Sequence, residues 1–460
     1  MEQLTIDEII RATKGLLFNY HRRGDGIIKN ISTDTRTLKQ GDLFIALKGK
    51  NFDGHNFVKQ AFEKGAKLAV VSKKLDIDKP LIKVENTLDA LGDIASYYQS
   101  KFRVKVVGIT GSNGKSTTKE ILGHILSFRF NVVKSLASFN NFVGVPLTIF
   151  SINSNTEVLI QEMETNILGG IKRLCYIARP NLGLVTNIGK THLEFLVKEY
   201  NVFREKSELL ESLPYDGYAF LNIDDRYFDR LKKVCGKRKI VTFGIKNKAK
   251  FYATNIEIKD KYLCFTLNGN YRINLNTIFY RNVYNALGAI SVACRYFGFK
   301  LREIKPLLEN FTFLPLRFQL IEIKGIRFIN DCFNANPDSM REAILAFNNL
   351  EGKRKIVLLG DMLELGSQKE KFHYLIGKLC GELKIDFLIA IGKLSKFMVN
   401  GAKEENIKNI IYCKSKEEAV KSLINLLENG DTVLVKASRA MGLEEVIEKV
   451  MDRIKEIKNG

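Results

Sequence analysis

The chain has 460 residues, enough for about three domains at roughly 150 residues each, every one long enough to bury its own core. Hydrophobic residues make up 45% of it and charged residues 27%, with no low-complexity tract, which excludes the disordered and fibrous classes. The net charge of +21 suits polyanions, but it is spread along the chain without a nucleic-acid-binding module, so a solvated basic surface is expected and no nucleic-acid partner. No apolar run reaches the roughly 18 residues of a membrane helix. The N-terminus MEQLTIDEII carries Glu2, Asp7 and Glu8 and no basic region before an apolar stretch, so no secretory signal is expected and a cytoplasmic location follows. The seven cysteines are odd in number, scattered and without a CxxC pair, which points to reduced core residues.

In chain order, DLFIAL (42–47) reads as a strand, NFVKQAFEKGA (56–66) as a helix and KLAVVS (67–72) as a strand, a small α/β unit. From Val104 the pattern becomes a buried strand, VKVVGIT, a glycine loop and a helix from about Lys115, then strands EVLIQEM (157–163) and LGLVTN (182–187) with a helix between them. Apolar strands alternating with helices predict a mainly parallel sheet covered on both faces. Residues 250–280 alternate as a few antiparallel strands before a helix at 282–297. Pro315 in NFTFLPLRF (310–318) marks a domain junction. Beyond it come IRFIND, a helix opened by Pro337, KIVLLG, a helix, DFLIAIG, NIIYC, a helix, DTVLVKAS and a last helix. This is a second open α/β sheet of dinucleotide-fold type. The prediction is α/β throughout, in three domains: 1–100, 101–314 and 315–460.

The strongest local signal is GITGSNGKSTTKE (108–120), a glycine-rich turn between a buried strand and a helix. Backbone N–H groups of Gly111, Ser112, Asn113, Gly114 and Thr117 can surround phosphate, Lys115 can reach the β and γ phosphates, and Ser116 can ligate Mg²⁺. The general P-loop pattern wants a glycine where Ile109 stands, with Gly108 and Gly111 flanking it. Glu162, at the end of one strand, and His192, just beyond the next, fall on the same sheet edge as this loop, where a parallel sheet places its ligand crevice. Glu162 supplies a hard oxygen. A histidine is an unusual Mg²⁺ ligand, so from chemistry alone His192 serves equally as a capping residue. His21, His55, His124 and His373 read as surface or packing residues.

The shifted spacing T-G-x-x-G-K-S resembles the ATP-binding loop of the Mur ligases and their folylpolyglutamate synthetase relatives. NNFVGVPLT (140–148), QEMETN, ARPNLGLVTNIGKTHLEF (178–195), NIDD (222–225) and NVYNALGAI (282–290) are similar to that family's central domain. STDTRTLKQGDLFIALKGKNFDGHNF (32–57) resembles its UDP-sugar-binding domain. INDCFNANPDSM (329–340), LLGDMLELG (358–366) and VLVKASR (433–439) resemble the third domain of the branch that adds D-Ala-D-Ala.

The resemblance implies an ATP-dependent, Mg²⁺-requiring C–N ligase acting on UDP-N-acetylmuramoyl-tripeptide and D-Ala-D-Ala through an acyl phosphate, in cytoplasmic peptidoglycan precursor synthesis, as a monomer. It places Ser116, Glu162 and His192 at metal, Asn282 and Asn285 beside the nucleotide, Arg317 at the γ-phosphate and Asp331 on the ribose. It assigns Ser32, Asp34, Thr35, Arg36 and Lys48 to the UDP end, Asn140 and Asn141 to the muramoyl peptide, and Asn334, Asn336 and Asp361 to the dipeptide pocket. Without the family, Asn282 serves equally as a helix cap and Arg317 equally as a linker charge, and turn formation is the alternative for residues 32–36. Lys206, in FREKSELLESL (203–213), alone reads as a solvated lysine at the start of a charged helix; the resemblance makes it a carbamylated metal ligand. The chain departs from the family pattern at Glu164, where glycine is usual, at residues 168–170 in place of Pro-Gly-Glu, and at Ser116, Phe333 and Ala437. Rival readings are the ligase that adds the third amino acid, a folylpolyglutamate synthetase and a nucleic-acid-stimulated P-loop ATPase.

Overall fold

A computed structural model describes residues 1–20, 26–49, 51–136 and 139–456; His21 lies outside them. Among the described residues the strands gather into three main sheets, each in one stretch of the chain. The first is five-stranded, in the order Leu16–Phe18, Leu81–Lys83, Leu68–Val71, Leu43–Ile45 and Ile31–Ser32, parallel except for its first strand. Its central strand shows no alternation of buried and exposed positions: Leu68 to Val71 are all buried, because the helix Thr87–Ser100 and the helix Val58–Glu63 bury the two faces.

The central sheet has nine strands. Lys105–Thr110, which feeds the glycine loop, lies between Val158–Glu162 and Leu182–Val185, both parallel to it. The register sets Glu162 beside Ile109 and Val185 beside Thr110, so Glu162 and the chain beyond Val185 leave the sheet at the same edge as the loop. Tyr218–Asn222 and Lys239–Gly244 extend the parallel part, and Phe251–Lys259, Tyr262–Leu267 and Tyr271–Leu275 add the antiparallel strands expected at 250–280. The helix Arg281–Arg295 packs along Lys115–Leu126, burying Val283, Ala286, Leu287 and Ile290 against Ile121 and Ile125.

The third sheet has six strands, in the order Gln319–Ile323, Ile326–Asn330, Thr432–Lys436, Lys355–Gly360, Phe387–Ile391 and Asn409–Cys413. Two elements depart from the expected series. Gln319–Ile323 forms an antiparallel edge with Ile326–Asn330 through a turn at Lys324 and Gly325, both at positive φ, and the helix Lys396–Glu404 separates Phe387–Ile391 from Asn409–Cys413. One apolar cluster runs from the central domain into the third, joining Leu193, Leu196 and Phe203 to Phe318, Met340, Met362, Leu365 and Phe372. The two domains therefore meet on a dry core, and the polar groups above it face one another across a cleft.

Candidate active site

The loop geometry explains its glycines. Gly111 has φ +142 and a Cβ there would lie 1.9 Å from Thr186 Oγ1; Gly114 has φ +84 and a Cβ would lie 2.2 Å from Asn285 Oδ1. Both positions admit only glycine. Gly108 has another function: a Cβ on it would meet Leu209 at 2.8 Å, so it lets the helix Glu199–Glu211 close on the strand. Ile109 is a buried strand residue, and the phosphate-facing turn begins two residues later than the general P-loop pattern expects.

Around this loop lies a cleft of about 750 Å³ walled by the central and third domains. It gathers Ser112 to Thr117, Asn140, Glu162, His192, Asn282, Asn285, Arg317, Asp331, Asn334 and Asn336, residues expected at one site from distant parts of the sequence. Lys115 is buried and its Nζ donates to Gly111 O at 2.9 Å and to Glu164 Oε1 at 2.6 Å. Asn140 Nδ2 donates to Glu162 Oε1 at 3.0 Å and to Glu164 Oε2 at 3.3 Å, bridging the two carboxylates. His192 stands in the left-handed region at φ 54, with Nε2 3.2 Å from Glu164 and Nδ1 2.7 Å from Glu364 of the third domain. Burial opposes charge on both Glu164 and His192, but their partners prevail: Lys115 and His192 hold the Glu164 carboxyl far below the usual range, and Glu164 and Glu364 lift His192 to about 9.

Asn282 and Asn285 sit on the first turns of their helix. Asn285 Nδ2 donates to Asn282 Oδ1 at 3.0 Å and Thr118 Oγ1 lies 3.4 Å from Asn285 Oδ1, which ties this helix to the loop's own. Arg317 lies over the Phe333 ring at 3.8 Å; burial pulls its pKa down while Glu162 and Asp331 oppose that. Asp331 pairs with Lys436 at 2.6 Å and accepts from Phe318 N at 3.0 Å. Asn334 Oδ1 accepts from Ala335 N. Asn336 caps the helix Pro337–Asn348 and donates to Asn113 Oδ1 at 2.8 Å, joining the third domain to the loop.

Several expectations change. Lys206 is not a solvated residue at a helix start: it lies mid-helix in Glu199–Glu211, fully buried, with Nζ 3.2 Å from Glu205, because that helix packs its inner face on the central sheet. Asp361 does not line the cleft; Oδ1 accepts from Leu394 N, Ser395 N and Ser395 Oγ at 2.8 to 3.0 Å and staples that turn. Asn141 is likewise absent from the lining and accepts from Val143 N and Gly144 N, opening a short helix.

Ser32, Asp34, Thr35 and Arg36 share one turn away from the cleft. Asp34 is held by Arg36 at 2.7 Å, its carboxyl lowered to about 2, while Thr35 is buried and donates to Gln60. Lys48 is exposed beside the same sheet. His55 is buried between Asp53 and Ser72, and His373 accepts from Met362 N, both in packing positions. Glu364 and Asp338, whose Oδ2 accepts from Lys190 N at 2.7 Å, are site residues that no sequence argument singled out, although both stand inside the third-domain motifs.

Family models match in chain order: Mur ligase family, catalytic domain, over residues 27–99; Mur ligase middle domain over 109–293; and Mur ligase, glutamate ligase domain over 316–439. The UDP-N-acetylmuramoyl-tripeptide–D-alanyl-D-alanine ligase of Bacillus subtilis is 34% identical across 98% of this chain and 99% of its own. The chain belongs to the Mur ligase family. The Escherichia coli enzyme of the same name is 32% identical over 92% of this chain and 93% of its own. Among solved structures, MurF from Acinetobacter baumannii superposes with a TM-score of 0.92 at 30% identity, covering 98% of this chain and 99% of that one. MurF from Thermotoga maritima, in complex with ADP, gives 0.85 at 28% identity over 93% and 98%. The Mur ligase fold accounts for all three sheets and for the glycine loop that opens onto the cleft between the last two.

Proposed function

We infer that this Mur ligase joins D-Ala-D-Ala to UDP-N-acetylmuramoyl-tripeptide with cleavage of ATP to ADP and phosphate, in cytoplasmic peptidoglycan precursor synthesis. The observation that carries this reading is the full-length likeness to ligases of that name, with a P-loop facing a cleft shared with the third domain. The same reading takes the protein to act as a monomer.

The loop's N–H groups and Lys115 hold the β and γ phosphates, Arg317 approaches the γ-phosphate from the third domain, and Asp331 receives the ribose. The terminal carboxylate of the tripeptide attacks the γ-phosphorus and ADP leaves. The dipeptide amine then attacks the acyl carbon of the acyl phosphate, loses a proton and expels phosphate. Mg²⁺ fits the residues present: Glu162 Oε2 is buried without a hydrogen-bond partner among the described residues, with Lys119 Nζ 3.8 Å away, and lines the same cleft as Ser116. These residues do not make a complete ligand cluster by themselves, as suits an ion that shares its ligands with nucleotide phosphates. When bound there it neutralises phosphate charge. His192 adds a ring nitrogen.

The finer assignments extend the same reading. Residues 1–100, including Ser32, Asp34, Thr35, Arg36 and Lys48, take the UDP end; 101–314 binds ATP; 315–460 supplies Arg317, Asp331, Asn334 and Asn336. Lys206 is carbamylated by CO₂ in this reading, which rests on the family resemblance; its buried Nζ lies 3.2 Å from Glu205, so the carbamate anion needs a bound cation beside it. Lys206→Ala is then expected to lose most activity and regain part with added short carboxylates; full activity in CO₂-depleted buffer refutes the modification. The function as a whole is tested by phosphate release with UDP-N-acetylmuramoyl-tripeptides ending in lysine or diaminopimelate, with and without D-Ala-D-Ala. Release that ignores the dipeptide and instead rises with nucleic acid would favour an ATPase.

A further inference from the structure

The P-loop lysine already has an anion. Lys115 Nζ touches one carboxylate, Glu164, at 2.6 Å, and its other contact is the loop's own Gly111 carbonyl. Glu164 stands two residues beyond the strand end at Glu162, and its backbone N–H donates to Asn140 O at 2.8 Å, which directs the side chain across the mouth of the loop. About a quarter of that side chain, 24%, remains exposed, in the cleft. The same oxygen that Lys115 touches, Oε1, lies 3.2 Å from His192 Nε2, while Oε2 accepts from Asn140 Nδ2 at 3.3 Å; Glu364 holds the far ring nitrogen of His192.

We propose that Glu164 is an internal stand-in for nucleotide phosphate: a positioning residue that seats Lys115 in the empty enzyme and gives the lysine up when phosphate oxygens arrive. A phosphate group brings more charge and more acceptor oxygens to one ammonium than a single carboxylate does, and the loop's N–H groups favour it further. The exchange leaves Glu164 with the Asn140 donor and with about a quarter of its side chain in solvent, so its charge is not stranded. Because the pair must break before Lys115 reaches the nucleotide, Glu164 sets a cost on every phosphate-bearing ligand and none on the nucleoside alone.

This inference rests on the P-loop reading, and binding without turnover separates the two. Mg²⁺·AMP-PNP, Mg²⁺·ADP and adenosine are titrated calorimetrically into the full chain and into Glu164→Gln, which keeps the size and removes the charge. Exchange predicts that Glu164→Gln binds AMP-PNP about tenfold more tightly, the scale of one charge-assisted contact, with adenosine unchanged. In steady state the variant then lowers KM for ATP without raising kcat. Glu164→Asp, with a shorter reach to Lys115, is expected to fall between the two and serves if Glu164→Gln does not fold. AMP-PNP affinity that stays the same or weakens in both variants overturns the exchange and makes Glu164 a support of the bound state instead; a gain shared equally by adenosine also overturns it. A wild-type chain that binds neither Mg²⁺·AMP-PNP nor Mg²⁺·ADP refutes the P-loop reading itself.

Discussion

Replacing Lys115 by Ala tests the electrostatics of the loop twice, once in the reaction and once in the fold. In the reaction, Lys115 is a fixed cation aimed at the transferring phosphoryl group, and losing one such contact costs about 3 kcal/mol or more, a factor of roughly 100 or more in rate. In the fold, the substitution takes a cation from Glu164 in a pair whose side chains are only 8% and 24% exposed. Breaking a fully buried ion pair costs about 3–5 kcal/mol; with His192 still 3.2 Å from Glu164 and part of the carboxylate wet, about 2 kcal/mol is expected. For a protein of this size that lowers the midpoint by a few degrees. Coupled phosphate release measures the first effect and thermal unfolding of the nucleotide-free protein the second. Adding Glu164→Gln to Lys115→Ala is expected to recover most of the lost stability and none of the lost rate, since the unpaired charge is gone but the phosphate's cation is not restored. Turnover within a few-fold of wild type in Lys115→Ala, or a double variant as unstable as the single one, would refute the reasoning.

Three further outcomes follow from the same geometry. The raised pKa of His192, about 9 against roughly 6.5 in an unfolded chain, means that its ion pairs stabilise the metal-free protein fully below about pH 6.5 and fade as the pH climbs to about 9. The stability difference between wild type and His192→Gln in chelator should shrink by something on the order of 3 kcal/mol across that range, and a difference that does not move with pH excludes the protonated clamp. Gly111→Ala, with its Cβ 1.9 Å from Thr186 Oγ1 at φ +142, is expected to abolish detectable Mg²⁺·AMP-PNP binding by calorimetry; retained affinity would mean the loop can be rebuilt. Asn336→Ala removes both a helix cap and the donor to Asn113, so urea unfolding should report a loss of about 1–2 kcal/mol, of which Asn336→Asp, which keeps the cap, should return roughly half.

Features governed by neighbours in the chain were legible from residue order alone. The run from Lys105 to Leu126 announced a strand, a phosphate turn and a helix because glycine, lysine and hydroxyl spacing within a dozen residues dictates that geometry. Pro337 opened its helix, and apolar runs located the buried parallel strands. The three-domain α/β order and the sheet edge that carries Glu162 and His192 came from the same local patterns. What residue order did not contain was who meets whom. Glu164 reaches Lys115 across 49 positions, and Glu364 reaches His192 across 172; neither spacing repeats in any local pattern. Lys206 looked solvated because its helix carries charges at Glu199, Arg204, Glu205, Glu208 and Glu211, yet the face that bears it is turned inward by Leu209 and Leu210 packing on the sheet. Asp361 and Asn141 have the chemistry of ligand contacts and spend it on backbone N–H groups of nearby turns. A side chain's type restricts the bonds it can make, but tertiary packing, inside a domain for Glu164, Lys206, Asp361 and Asn141 and between the central and third domains for Glu364, decides which partner is within about 3 Å, and that choice separates a metal ligand or phosphate clamp from a staple.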